Sequence, residues 1–326
     1  MPATMKSRFL ALAEPQSHDK QWLLDTLQLA IELELATIPP YLCAYWSITD
    51  RDNNGKKVKE RLRHIYLEEM MHMGMAANVL KAIGGQPRMV RDAVASYPCQ
   101  FPGHVHEGLQ VQLGSMTEAQ LDTFLAIERP EKQLDYPVRT TAPNAGARDS
   151  FKTIGEFYQA ILDALSSLHA EGQISFSEAG QVEYDGYISK VLSLDDAQTA
   201  IKKIQQQGEG TTSEPTGDDP KKLAHFYAFN EIKKGGELEK VNGDWVYNRA
   251  GKPIHLPKVY ELKGPASNDV SAEFDKMYSD MLRALDAAWR GDAANIQNAI
   301  DLMYPLAGPV RKLMSQGFWP LFEYRE

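Results

Sequence analysis

The chain has 326 residues, 43% hydrophobic and 24% charged, enough for one large domain or a domain with an appendage. Its net charge of -9, with no basic run, excludes a nucleic-acid surface, and two cysteines, Cys43 and Cys99, exclude a disulfide framework or a cysteine zinc site. Met1 to Leu12 lacks a signal-peptide core and no apolar run approaches a membrane span, so a cytoplasmic protein with no nucleic-acid or membrane partner is expected.

The first helix is predicted from Ser17-His-Asp to about Thr37, with Ser17 as N-cap. Its apolar stripe reads Leu23, Leu27, Ile31, Ile38. Glu34 lies on that stripe, whereas Glu32 follows Asp25 and Gln28 on the opposite face and reads as solvated. Pro39-Pro40 is expected to break or kink the helix, since neither residue donates a backbone hydrogen bond. Arg51 to Gly55 is a loop, and a second helix follows to about Gly84-Gly85.

In that second helix Val58, Leu62, Ile65, Ala76, Leu80 and Ile83 recur at helical spacing. Glu69 and His72 sit within this stripe, where an aliphatic residue is expected. Burying a bare carboxylate costs several kcal/mol or more unless it is paired, and a metal cation is one such partner. A buried salt bridge would give the same pattern. Glu68, aligned with Arg61 and His64, reads as solvated.

A long crossover, Gln86 to Ser150, comes next. Leu109 to Leu113 is compatible with a short strand, and Thr117-x-x-Gln120 with a capping box opening a helix to about Glu128. His104 and His106 read as exposed loop histidines or as ligands. The third helix is predicted over Ile154 to Ala170. Glu156 fits two roles there, a ligand or the acid of a Thr153-x-x-Glu156 capping box.

A helix over Asp195 to Gln207 ends in Gly208-Glu209-Gly210, which presents Glu209 where the backbone unwinds. Asp219-Pro220 reads as the start of a helix to Lys234 that carries His225 on the face of Phe229 and Ile232. From Gly235 to Gly264 an irregular hairpin is expected, with Trp245-Val-Tyr and Lys258-Val-Tyr flanking Gly251-Lys-Pro. Phe274 to Ala288, Ile296 to Met303 and Val310 to Met314 complete a helical C-terminus.

Five pieces, in order, resemble a known group: Ala30-Ile-Glu-Leu-Glu-Leu-Ala-Thr-Ile-Pro-Pro-Tyr-Leu42, Glu68-Glu-Met-Met-His72, Thr153-Ile-Gly-Glu-Phe-Tyr158, Gln207-Gly-Glu-Gly-Thr211 and His225-Phe-Tyr-Ala-Phe229. The group is the ferritin-like family named for the iminophenyl-pyruvate dimer synthase domain of violacein- and rebeccamycin-type biosynthesis. The resemblance implies a mainly α fold: a ferritin-like four-helix bundle over 17–234 with the crossover 86–150 inserted, then a hairpin and helical extension over 235–326.

It also implies a ligand set of Glu34, Glu69, His72, Glu156, Glu209 and His225, holding two iron ions or an iron/manganese pair. Four carboxylates balance two divalent cations and are able to bridge them at about 3.5–4 Å. Hard oxygen ligands with imidazole suit iron or manganese better than zinc. Tyr41, Tyr66 and Tyr158 are expected nearby as catalytic candidates, phenols beside the ligands or able to carry a radical. The implied activity is oxidation of a small amino-acid-derived molecule by O2 or peroxide in secondary metabolism, with a homo-oligomer left open. A ferroxidase and a metal-free structural bundle are the alternatives.

Overall fold

In the computed structural model, residues 18–100, 109–130, 154–211 and 213–326 are described; Ser17, His104, His106 and Thr153 lie outside them. The chain runs α1 (Lys20–Ser47), α2 (Asn53–Ala82), β1 (Cys99–Gln100), β2 (Gln110–Val111), α3 (Glu118–Ile127), α4 (Ile154–Ala170), α5 (Leu194–Glu209), α6 (His225–Lys234), β3 (Gly236–Val241), β4 (Asp244–Pro253), β5 (Gly264–Pro265), α7 (Asp269–Trp289), α8 (Asn295–Met303), α9 (Ala307–Ser315) and β6 (Phe318–Trp319). The fold is mainly α. Helices α1, α2, α5 and α4 form a ring in which each packs on the next, a four-helix bundle. The short α6 lies against α2, α3 and α5, and that placement builds the site described below.

Helix α1 opens on Asp19, whose side chain accepts the Trp22 N–H at 2.8 Å, a cap that leaves Lys20 as the first helical residue. It does not break at Pro39-Pro40 but continues to Ser47. Pro40 cannot donate to the Ala36 carbonyl, and the Tyr97 hydroxyl takes up that acceptor at 2.6 Å. A replacement donor from the crossover thus satisfies the acceptor that Pro40 leaves free.

From Thr26 to Ala44 helix α1 also has no wet face. Glu32, expected in solvent, is fully buried, with one oxygen accepting from Gln28 Nε2 at 3.0 Å. Gln28 in turn clasps the Arg88 backbone through both its N–H and its carbonyl. Periodicity within α1 had no way to register this cover, because it comes from residues far along the chain.

The C-terminal helices close the outside of the bundle. Trp289, fully buried, donates from Nε1 to Asn78 Oδ1 on α2 at 2.8 Å, and α9 packs on α1. Asn78 also holds Val182 and Ser189, fastening the 175–192 segment over α2. There Gly74 leaves room for Ile188, whose Cδ1 would lie 2.5 Å from an added Cβ.

Two local expectations give way. Residues 219–222 form bends and a turn, Leu223 bridges to Thr216, and α6 starts only at His225, so the Asp219-Pro220 helix start is not used. The Asp219 carboxylate instead accepts the Lys221 N–H at 2.9 Å, an Asx-type turn. The hairpin pairs β3 with β4 through Asn242-Gly243, both at positive φ, the turn chemistry of a tight two-residue hairpin. Lys258-Val-Tyr takes no part in it, and Val259 bridges to Ile48 instead. Among the described residues no helix is long and apolar enough to cross a membrane.

Candidate metal centre

Four elements deliver side chains to one point inside the bundle. Helix α1 supplies Glu34, α2 supplies Glu69 and, one turn on, His72, α6 supplies His225 from its first residue, and the residue capping the C-terminus of α3 is Glu128. Each is at most 4% exposed. They form two groups whose potential ligand atoms lie within 4.8 Å of one another, Glu34 with Glu69 and His72, and Glu69 with Glu128 and His225. Glu69 belongs to both.

The imidazoles face the acids with the same nitrogen. His72 Nδ1 is 3.5 Å from Glu34 and 3.7 Å from Glu69, and His225 Nδ1 is 2.8 Å from Glu69 and 3.5 Å from Glu128. The rings stack with centroids 5.5 Å apart. Their Nε2 atoms point the other way, His72 to Gln207 Oε1 at 2.8 Å and His225 to Glu68 Oε2 at 3.0 Å. Two buried phenols complete the surround: Tyr158 donates to Glu34 and Tyr41 donates to Glu128.

Charge is out of balance in this interior. Among the described residues no lysine or arginine pairs with Glu34, Glu69 or Glu128. Burial, reinforced by the neighbouring Glu69 charge, pushes Glu34 up to about 8. Glu128 is raised for the same two reasons. Burial also works against Glu69, yet hydrogen bonding with Glu34, the charge of His225 and the neighbouring His72 hold it well below the usual carboxylate range. Burial likewise depresses His72, but Glu34 and Glu69 outweigh it and carry the imidazole up to about 10; His225 moves up for the same kind of reason. Protons thus do the work of positive charge here. Tyr41 and Tyr158 rise well above the ordinary phenol value, through burial first and the carboxylates second, and stay neutral donors.

The donor set fits divalent cations. His225 Nδ1 is buried and close to two carboxylates, yet makes no hydrogen bond of acceptable geometry with either. A salt bridge would align a proton between those atoms, whereas lone pairs turned toward a shared point suit a cation. Three carboxylates and two imidazoles are hard and borderline ligands, a set able to hold divalent metal ions.

The residues singled out from sequence are partly gathered here. Glu34, Glu69, His72 and His225 come together, while Glu156 and Glu209 stand outside both groups. Glu209 is the last residue of α5 and accepts the Gly155 N–H at 2.7 Å, capping the start of α4. Gly155 is needed for this, because an added Cβ would lie 2.4 Å from the carboxylate. Tyr41 and Tyr158 touch the acids, but the half-buried Tyr66 packs edge-on against Tyr45. Glu68, expected in solvent, is 3% exposed, covered by α6 and bonded to His225. Glu128 was not singled out. Its signal was present: it follows Leu121 and Phe124 at helical spacing, on the buried stripe of α3, as Glu34 follows Ile31.

No curated protein sequence matches the chain. Among solved structures the chain is similar to a ferritin-like protein from Caulobacter vibrioides, with 21% identity, a TM-score of 0.65, and coverage of 93% of this chain and 97% of that one. At that identity the likeness shows the fold. The ferritin-like family matches residues 27–234, well over half the sequence and the stretch that contributes every acid and imidazole of the two groups. Bundle, site and match agree, and the chain belongs to the ferritin-like family.

Proposed function

We propose that the protein is a dinuclear-metal oxidoreductase that uses O2 or peroxide to oxidise a small amino-acid-derived molecule. The observation that carries this reading is the pair of buried groups sharing Glu69. Glu34, Glu69 and His72 would hold one ion and Glu69, Glu128 and His225 the other, with Glu156 and Glu209 left to structural duty. When bound, two iron ions, or iron with manganese, supply two-electron redox chemistry with O2 or peroxide.

The chain's own part is to orient and to manage protons. Tyr158 and Tyr41 fix the outer carboxylates through their hydroxyl protons, leaving the other oxygen of each acid toward the centre. Gln207 and Glu68 hold the imidazoles with Nδ1 inward. Burial of every acid and imidazole of the two groups keeps bulk water from them. The amino-acid-derived substrate and a role in natural-product assembly are supported by the resemblance at Ala30 to Leu42 and Glu68 to His72.

Metal analysis of purified protein tests the centre, with about two iron or manganese ions per chain expected. Oxygen consumption then tests the chemistry. Turnover that depends on added aromatic or imino amino-acid derivatives supports the oxidase. Oxygen uptake driven by ferrous ion alone identifies a ferroxidase and overturns the organic substrate.

A further inference from the structure

The two halves of the centre are built alike except at one position. Each has an outer carboxylate held by a buried tyrosine, Glu34 by Tyr158 and Glu128 by Tyr41. Each shares Glu69, and each has an imidazole presenting Nδ1 to the acids. The exception stands behind the imidazole. His72 Nε2 meets the amide oxygen of Gln207, and His225 Nε2 meets the carboxylate of Glu68. We propose that this makes the two cation positions unequal, the one at Glu69, Glu128 and His225 binding its ion more tightly than the one at Glu34, Glu69 and His72. The inference rests on the dinuclear reading above.

An imidazole that ligates through Nδ1 keeps its proton on Nε2 and donates it outward. A carboxylate accepting that proton makes a charge-assisted bond, pulls the N–H harder than an amide does, and leaves Nδ1 the stronger donor to a cation. The groups facing Glu68 keep its charge at work. His64 Nε2 at 3.2 Å and Lys222 Nζ at 3.7 Å approach one oxygen, on the solvent side, while the other oxygen is turned to His225. Lys222 is half exposed, so its opposing charge is screened.

Behind His72 the charge is one residue further away. Gln207 Nε2 donates to Asp218 Oδ1 at 3.0 Å, and Asp218 faces Lys203 at 3.6 Å. That donation fixes the amide orientation, so Oε1 accepts from His72, and the neutral amide intervenes between the imidazole and the acid. Three carboxylates therefore bear on the His225 position and two on the His72 position.

Cobalt(II) titration of the metal-free protein, followed by visible absorption with a competing chelator, reads both affinities. Two steps are expected. Glu34→Ala should retain the tighter step, and Glu128→Ala the weaker. Glu68→Gln should weaken the tighter step about 10–100-fold and leave the weaker one in place. Gln207→Glu should strengthen the weaker step, which keeps the test decisive if Glu68→Gln fails to fold by circular dichroism. Two ions of indistinguishable affinity in the native chain, or a Glu68→Gln variant that weakens both steps alike or neither, overturns the inequality alone. A native chain that binds no cobalt overturns the dinuclear centre itself.

Discussion

Glu69→Gln keeps the shape of the side chain and removes the carboxylate common to both groups. In the native chain, an ion present at a hundred times its dissociation constant stabilises the fold by about 2.7 kcal/mol, so two ions contribute about 5 kcal/mol. For a chain of this size that is a rise in melting temperature of about 10 °C, taking roughly 2 °C per kcal/mol. Glu69 lies 2.8 Å from His225 and 3.7 Å from His72, so its loss weakens both positions together. The expected result is a melting temperature that rises less than 2 °C on adding ferrous or manganous ion, with well under one ion per chain by elemental analysis. Glu34→Gln touches only the weaker position and should keep more than half the shift. Differential scanning calorimetry with and without metal measures both. A Glu69→Gln protein that holds two ions, or keeps more than half the native shift, refutes the shared-ligand geometry.

Other predictions concern acids, protons and caps. Glu128→Ala should lose one ion per chain by elemental analysis, whereas Glu156→Gln should keep both. Glu209→Gln should also keep both ions but cost about 1 kcal/mol in urea unfolding, as a weakened helix cap does. Gly155→Ala should cost about 1–3 kcal/mol in the same assay, because the new Cβ meets the Glu209 carboxylate. The metal-free chain should be less stable at pH 9 than at pH 6: Glu34, near 8, and His72, near 10, bind protons in the fold that they release when unfolded, so stability drains away as pH rises through that window. Each group contributes a slope of up to about 1.4 kcal/mol per pH unit. Chemical denaturation after chelation at the two pH values decides it, and equal or greater stability at pH 9 contradicts the assignment.

Much of the bundle was legible because its helices carry long stripes. The helix predicted to Ala170 is found to end there, and Glu34 is inside because Ile31 and Ile38 flank it. What failed locally failed for reasons of distance along the chain. Glu32 and Glu68 look wet on their own helices, but both are buried, Glu32 beside the Gln28 that reaches Arg88 and Glu68 beneath α6. Asp219-Pro220 is a sound helix start that turns compete away, and Asn242-Gly243 outweighs Gly251-Lys-Pro as the hairpin turn. At Gly208-Glu209-Gly210 the glycines suggested an unwound ligand, whereas the helix runs to Glu209 and hands its carboxylate to Gly155. Glu128 was legible by the rule that found Glu34. It lies just past the last turn of a short helix, where the stripe is only Leu121, Phe124 and Ile127 long.

The proline pair in α1 falls between Glu34 and Tyr41, and so between the residues that serve opposite halves of the centre. A helix lacking consecutive rungs bends there most easily, and the Tyr97 hydroxyl satisfies the Ala36 carbonyl that one of the missing rungs leaves free. Removing that hydroxyl with Tyr97→Phe would let the two ends of one rod pivot independently, spreading the ligands apart without altering any of them. The spacing of the whole centre would thereby depend on one phenol of the crossover that belongs to neither group.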